Sequence, residues 1–132
     1  MMPAMSTSTA THPQRDADDG LIVAEAALAA AARVGVTNTV LARVIGRHPS
    51  SISRLKDGEH RLKRGEKSFE LAVLFVRLYR SLDAIVGGDK VAAAAWLHGE
   101  NTALQARPID LIQSVTGLTD VIAYLDSRRA PL

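Results

Sequence analysis

The chain has 132 residues, an apolar fraction of 47%, a formal net charge of +2 and no cysteine. This length accommodates one domain or two small helical units packed together, and the lack of cysteine excludes disulfides and thiolate metal sites. No apolar run approaches the roughly 20 residues of a membrane span, and the N-terminal segment lacks the apolar stretch of a signal peptide. We therefore expect a cytoplasmic protein, and nothing in the composition indicates a metal or another cofactor.

The first segment, residues 1–19, has almost nothing apolar to bury, so it predicts a disordered leader. The Ala-rich segment Leu21–Val34 predicts the first helix. Acidic residues precede it and Gly35 follows it, which suits the start and the end of a helix.

Two short helices are predicted next. One begins at a Thr37 or Asn38 cap and runs to about Ile45, because hydroxyl and amide side chains favour the N-cap position. The other covers about Pro49–Lys56, with His48 at the cap position. Proline suits the first turn of a helix because its missing N–H has no partner there.

Basic residues concentrate between residues 37 and 67, which include the polar loop Gly58–Gly65. Eight basic and three acidic side chains leave this stretch at about +5, whereas the rest of the chain is about −3. The basic side chains are Arg43, Arg47, Arg54, Lys56, Arg61, Lys63, Arg64 and Lys67. Such a block is typical of a phosphate-facing patch, although a solvated helical face has the same composition.

The two short helices have the pattern of a helix-turn-helix. Ala42 supplies the small residue where the helices cross, and Gly46 supplies a turn residue that tolerates a left-handed conformation. Ile52 and Leu55 are the apolar anchors of the second helix. A helical hairpin that binds no DNA has the same spacing and is the alternative.

Hydroxyl and basic side chains share the opposite face of the second helix. There, Arg54 is placed to read a base, since arginine can donate two hydrogen bonds to a guanine edge. Ser50 and Ser51 are placed to contact bases or adjacent phosphates. The expected DNA-binding residues are Arg47, Ser50, Ser51, Ser53, Arg54, Lys56, Arg61 and Lys63.

The whole pattern resembles the Xre (phage-repressor-like) helix-turn-helix family over about Leu21–Val86. One such unit reads a short half-site, and specific affinity usually comes from a symmetric dimer on a palindrome. We therefore expect a homodimer that binds promoter DNA.

The segment Glu66–Val86 predicts the longest helix, and its apolar residues form two adjoining stripes. These are Phe69, Ala72, Val73, Val76 and Tyr79, and then Leu71, Phe75, Leu78, Leu82 and Ile85. A helix that is apolar over more than half its girth is usually buried on two sides. One side is expected to face the DNA-reading unit, and the other either the C-terminal unit or a second subunit.

Three short helices are predicted in the last third: Asp89–Leu97, Pro108 to about Val115, and Leu118–Arg128. Trp96 would anchor this small unit, and Gly117 would separate its last two helices. The predicted fold is therefore all-α: an N-terminal helix-turn-helix bundle, a long central helix and a small C-terminal three-helix unit.

The order of residues in this third resembles the toxin-binding domain of the Xre/MbcA/ParS antitoxin family, over roughly Asp89–Arg128. The residues on which the resemblance rests are, in chain order, Trp96-Leu97, Asn101, Ala103-Leu104, Arg107-Pro108, Asp110-Leu111-Ile112, Gly117 and Val121–Leu125. It implies that the chain neutralises a RES-type toxin, an NAD-using, ADP-ribosyltransferase-like enzyme. It further implies that the antitoxin occludes the toxin's active site and represses its own operon. The expected domains are 20–87 for DNA binding and 88–132 for toxin binding.

The C-terminal tail is where this chain departs most from the family. The sequence SRRAPL lacks the Tyr-Gly-type ending of many members, and Glu100 and Ala106 replace a common Pro and Gly. The residues expected nearest the toxin are Arg128, Arg129, Pro131 and Leu132. Arginine can pair with phosphates or carboxylates around a dinucleotide site, although two solvated arginines on a frayed helix end fit the same residues.

An enzyme is not expected. The four histidines are scattered, and the chain has no cysteine nucleophile, Gly-rich phosphate loop or evident pair of carboxylates. The main alternative is a stand-alone helix-turn-helix transcriptional regulator with no toxin partner. A protein-interaction module that uses the helix-turn-helix only to dimerise comes third.

Overall fold

The computed structural model describes residues 13–129, which form seven α-helices. They are α1 (Pro13–Arg33), α2 (Asn38–Ile45), α3 (Pro49–Lys56), α4 (Lys67–Ile85), α5 (Lys90–His98), α6 (Pro108–Leu111) and α7 (Val115–Arg129). The predicted all-α class is confirmed. No helix in this part of the chain is long and apolar enough to cross a membrane.

Helix α4 lies at the centre of the structure. It packs against α1 and α2 of the DNA-reading unit (α1–α3) and against α5 and α7 of the C-terminal unit (α5–α7). Phe75, Leu78 and Leu82 of α4 are almost completely buried. The prediction of a two-sided central helix is confirmed, and the C-terminal unit occupies the second side.

The predicted burial of α4 is wrong at two positions. Val73 and Ile85 are each 41% exposed, although both belong to the apolar stripes. Val73 lies in a surface groove with Ile22 of α1, which is 61% exposed. One residue of each stripe therefore faces solvent in the described part of the chain.

The ends of α2 and the start of α3 are capped by the residues that were predicted to cap them. The Thr37 hydroxyl accepts a hydrogen bond from the Val40 N–H at 3.2 Å. Gly46 ends α2 in the left-handed conformation, with φ of 71°, which glycine adopts without strain. The His48 ring accepts a hydrogen bond from the Ser50 N–H at the start of α3.

Helix α1 begins earlier than predicted, and with 21 residues it is longer than α4, which has 19 and was predicted to be the longest helix. It starts at Pro13, so residues 13–19 of the expected disordered leader are helical, whereas residues 1–12 lie outside the described part. Gly20, predicted to precede the helix, is buried within it, because the carbonyl of Leu62 packs against it. Arg64 pairs with two carboxylates of the early turns, which ties the added turns to the loop before α4.

The last two helices also differ from the prediction. Helix α6 is a single turn, and Gly117 lies buried in the first turns of α7 rather than between two helices. A Cβ atom at Gly117 would lie 1.9 Å from the Leu111 carbonyl oxygen. Glycine is therefore required here by the close approach of α6, and it does not end a helix.

Three polar contacts join the DNA-reading unit to the C-terminal unit or to the loop between α4 and α5. The His98 ring lies 2.9 Å from the Val34 carbonyl oxygen. Arg33 donates to the Gly88 carbonyl at 3.0 Å, and Arg43 donates to the Gln113 side chain at 3.2 Å. These contacts, together with the shared α4, hold the two units in one arrangement.

We expect Gly20→Ala to lower the free energy of unfolding by about 1–3 kcal/mol, as overpacking does. A Cβ atom there would lie 2.0 Å from the Leu62 carbonyl oxygen, so the loop must move. Urea unfolding followed by circular dichroism measures the change. Ala29→Gly, at an exposed site of α1, is the matched control and should cost about 1 kcal/mol through helix propensity alone. A Gly20→Ala protein more stable than wild type would contradict the packing.

Candidate DNA-binding and partner-binding surfaces

Helix α3 presents opposite faces to the core and to solvent. Ile52 is completely buried and Leu55 is 8% exposed, which sets the rotation of the helix. The other side carries the exposed Ser50, Ser53 and Arg54. The buried anchors thus turn Arg54 and Ser50 outward, as a recognition helix requires, whereas Ser51, which was predicted on the same face, is partly buried.

The remaining predicted residues of α3 lie at the edge of this face. Ser51 is half-buried and Lys56 is exposed in the last turn. The Ser50 hydroxyl lies 3.0 Å from the ring of His48, so DNA would compete with or extend this contact. Arg54 makes no ion pair within residues 13–129.

Arg47 differs from the other predicted DNA contacts. Its side chain is 20% exposed, and its Nε donates to the Ser68 hydroxyl at 2.8 Å. A terminal nitrogen lies 3.6 Å from the Glu66 carboxylate. Arg47 therefore braces the turn before α3 against the start of α4, and its contact with phosphate stays a prediction.

The loop before α4 is anchored by one apolar residue that the sequence pattern did not single out. Leu62 is 1% exposed, and its two neighbours, Arg61 and Lys63, both face solvent. The next basic residue, Arg64, is held by Asp19, whose hydrogen bond raises the pKa of the guanidinium. Arg61 and Lys63 are thus exposed cations of this loop, and their contact with phosphate stays a prediction.

The end of α7 carries the described part of the expected toxin-binding tail. Arg128 lies over the Tyr124 ring, 5.9 Å from its centroid. Arg129 donates to the Ser81 hydroxyl at 3.0 Å, which fastens the last turn to α4. Pro131 and Leu132 lie outside the described residues. This end of α7 is therefore a packed helix terminus with exposed guanidinium groups.

Ser81 and Asp126 were not predicted to matter, yet they hold the α4–α7 contact. Ser81 is 1% exposed and donates to the Asp126 carboxylate at 3.1 Å. Arg77 of α4 pairs with the other carboxylate oxygen. The signal in the sequence was a hydroxyl next to the apolar positions Leu78 and Leu82, which does not by itself indicate a partner.

Trp96 and its neighbours support the C-terminal unit, as expected. The rings of Trp96 and Tyr124 stack with centroids 6.2 Å apart. Pro108 is buried at the start of α6, and Leu104 and Leu111 pack against the core. These four residues shape the domain.

The fold and its exposed recognition helix define a helix-turn-helix DNA-binding protein with an added C-terminal helical domain. Residues 13–77 match the model of the antitoxin Xre-like helix-turn-helix domain. Residues 81–130 match the model of the antitoxin Xre/MbcA/ParS C-terminal toxin-binding domain. The chain belongs to the Xre/MbcA/ParS antitoxins, which makes it a DNA-binding, toxin-neutralising antitoxin. No curated protein matches the chain.

We expect Arg54→Ala to weaken binding to the chain's own promoter fragment by about 1–3 kcal/mol and to relax base preference at one position. Arg61→Ala should weaken binding to all sequences alike and lower the salt slope by about one. Fluorescence anisotropy at several salt concentrations separates the two effects. Arg128→Ala, at the other end of the chain, is the control. An Arg54→Ala protein with wild-type affinity for the promoter would refute the role of Arg54 in base reading.

Proposed function

We propose that the chain neutralises a RES-type toxin, an NAD-using and ADP-ribosyltransferase-like enzyme, by occluding its active site with the end of α7. The match of residues 81–130 to the toxin-binding domain carries this proposal. The matched region ends at residue 130, one residue after the C-terminal end of α7, where the exposed Arg128 and Arg129 lie. The segment after Leu125 therefore becomes the inhibitory contact.

The chemistry of this end suits a dinucleotide-binding pocket. Guanidinium groups form charge-assisted and often bidentate hydrogen bonds with phosphates and carboxylates. Arg128 faces solvent and supplies such a group, while the link from Arg129 to Ser81 orients the helix end. Pro131 and Leu132 then contribute apolar contact at the pocket entrance.

The same chain represses its own operon in this proposal. The face of α3 reads a half-site through Arg54, and Arg61 and Lys63 contact the flanking phosphates. A homodimer reads two half-sites on a palindrome, since each helix-turn-helix covers only one. The chain acts as a binding protein without catalysis of its own, in the cytoplasm.

The test of toxin binding uses the product of the neighbouring gene, co-expressed with this chain. We expect the two proteins to purify together and cells to survive the toxin. Deletion of residues 128–132 should abolish protection, because it removes the proposed plug but keeps Leu125 and Asp126, which hold α7 to α4.

Arg15→Glu, an exposed substitution on α1, is the control and should leave protection intact. Circular dichroism establishes that the deletion variant is folded. Full protection by a folded chain without residues 128–132 would refute the occlusion. A neighbouring gene product that neither binds the chain nor harms cells would favour a stand-alone regulator.

A further inference from the structure

The exposed side of α4 carries an unusual order of charges. Its residues follow at alternating steps of four and three, so they form one stripe along the helix. In chain order they are Glu66, Glu70, Val73, Arg77 and Arg80, and all are exposed. The stripe thus runs from two acidic residues through one apolar residue to two basic residues.

An apolar groove accompanies this stripe. Two adjoining depressions, of about 870 and 560 Å³, share Ile22, Val23 and Val73. Arg77 and Arg80 line the first depression, and Glu70 lines the second. The groove therefore has a basic end, an acidic end and an apolar middle between α1 and α4.

We propose that this face binds a second copy of the chain, with the two α4 helices antiparallel and the two-fold axis at Val73. The proposal rests on the homodimer of the proposed function and gives it an interface. In this arrangement Glu70 faces Arg77 of the partner subunit, and Glu66 faces Arg80 of the partner subunit. Val73 and Ile22 of both copies fill the middle.

The register follows from the spacing. Glu66 and Arg80 lie seven residues before and after Val73, a distance of about 10.5 Å along the helix in each direction. Glu70 and Arg77 lie three residues before and four after it. Reversal of the stripe therefore places each acidic position opposite a basic one, which is the self-complementarity that a two-fold interface requires.

Existing contacts do not block this pairing. Arg77 pairs with Asp126, and Glu66 lies 3.6 Å from Arg47. Arg77 and Glu66 are both at least half exposed in these pairs, and surface ion pairs contribute only about 0–1 kcal/mol. Their groups can accept a second partner, while Glu70 and Arg80 have no ion pair within residues 13–129.

The charge order is what favours a second copy over other occupants. A toxin surface needs to complement this face only once, so it requires no symmetry within the stripe. The segment before α1, residues 1–12, contains no acidic residue and only one histidine. It offers no carboxylate to pair with the guanidinium groups at the basic end of the groove.

The test is the mass of the full chain in solution, measured by sedimentation equilibrium without toxin or DNA. We expect twice the 14.1 kDa of one chain. Val73→Glu places two carboxylates against each other at the axis and should raise the dimer dissociation constant about 100-fold or more. Val91→Glu is the matched control, because Val91 is 72% exposed on α5, away from the stripe, and should stay dimeric.

Charge reversal tests the register. Arg80→Glu should dissociate the dimer, and the double variant Glu66→Arg/Arg80→Glu should restore it, because the opposite charges meet again across the axis. Neither change touches the Arg77–Asp126 pair that holds α7 to α4. Circular dichroism establishes that each variant is folded. A dimer in Arg80→Glu as tight as wild type, or no recovery in a folded double variant, would overturn the register.

Two outcomes would overturn the interface itself. They are a monomeric wild-type chain and a Val73→Glu dimer as tight as wild type. If the wild-type chain is a monomer, its dimerisation after removal of residues 2–12 would assign the groove to that segment. Because the mass is measured without toxin, failure here leaves toxin neutralisation standing. Loss of toxin binding with an intact dimer would refute toxin neutralisation and leave the proposed dimer interface standing.

Discussion

The burial of α4 on two sides is the interaction on which the rest of the structure depends. Phe75, Leu78 and Leu82 are nearly inaccessible, and α4 packs against α1 and α2 as well as α7. Both the DNA-reading unit and the C-terminal unit complete their cores against this helix. The orientation of the recognition helix and the position of the α7 end therefore both depend on one helix.

This shared helix explains how two family domains become one molecule. The matched regions, 13–77 and 81–130, meet within α4, so the boundary between them falls inside a continuous helix. Beyond α4, the His98 contact to the Val34 carbonyl and the Arg43 contact to Gln113 bridge the same two units. A toxin bound at the α7 end would therefore be held at a defined position relative to the DNA.

Sequence reasoning worked where a local rule decides the structure. The Thr37 and His48 caps and the left-handed turn at Gly46 all follow from interactions within a few residues. The prediction was wrong where the structure depends on packing against backbone from another segment. Gly20 and Gly117 look like helix breakers, yet each lies inside a helix, where the lack of a side chain leaves room for a carbonyl from another segment. The contact of Arg47 with Ser68 and the exposure of Val73 likewise depend on tertiary packing.

The cooperativity of unfolding tests most directly whether the two units share one core. Trp96 is the only tryptophan and reports on the C-terminal unit, whereas far-UV circular dichroism reports on all helices. At one protein concentration, urea unfolding followed by both signals should give the same midpoint and the same slope. Two separate midpoints, with the tryptophan signal lost before or after the bulk of the helix signal, would contradict the shared core.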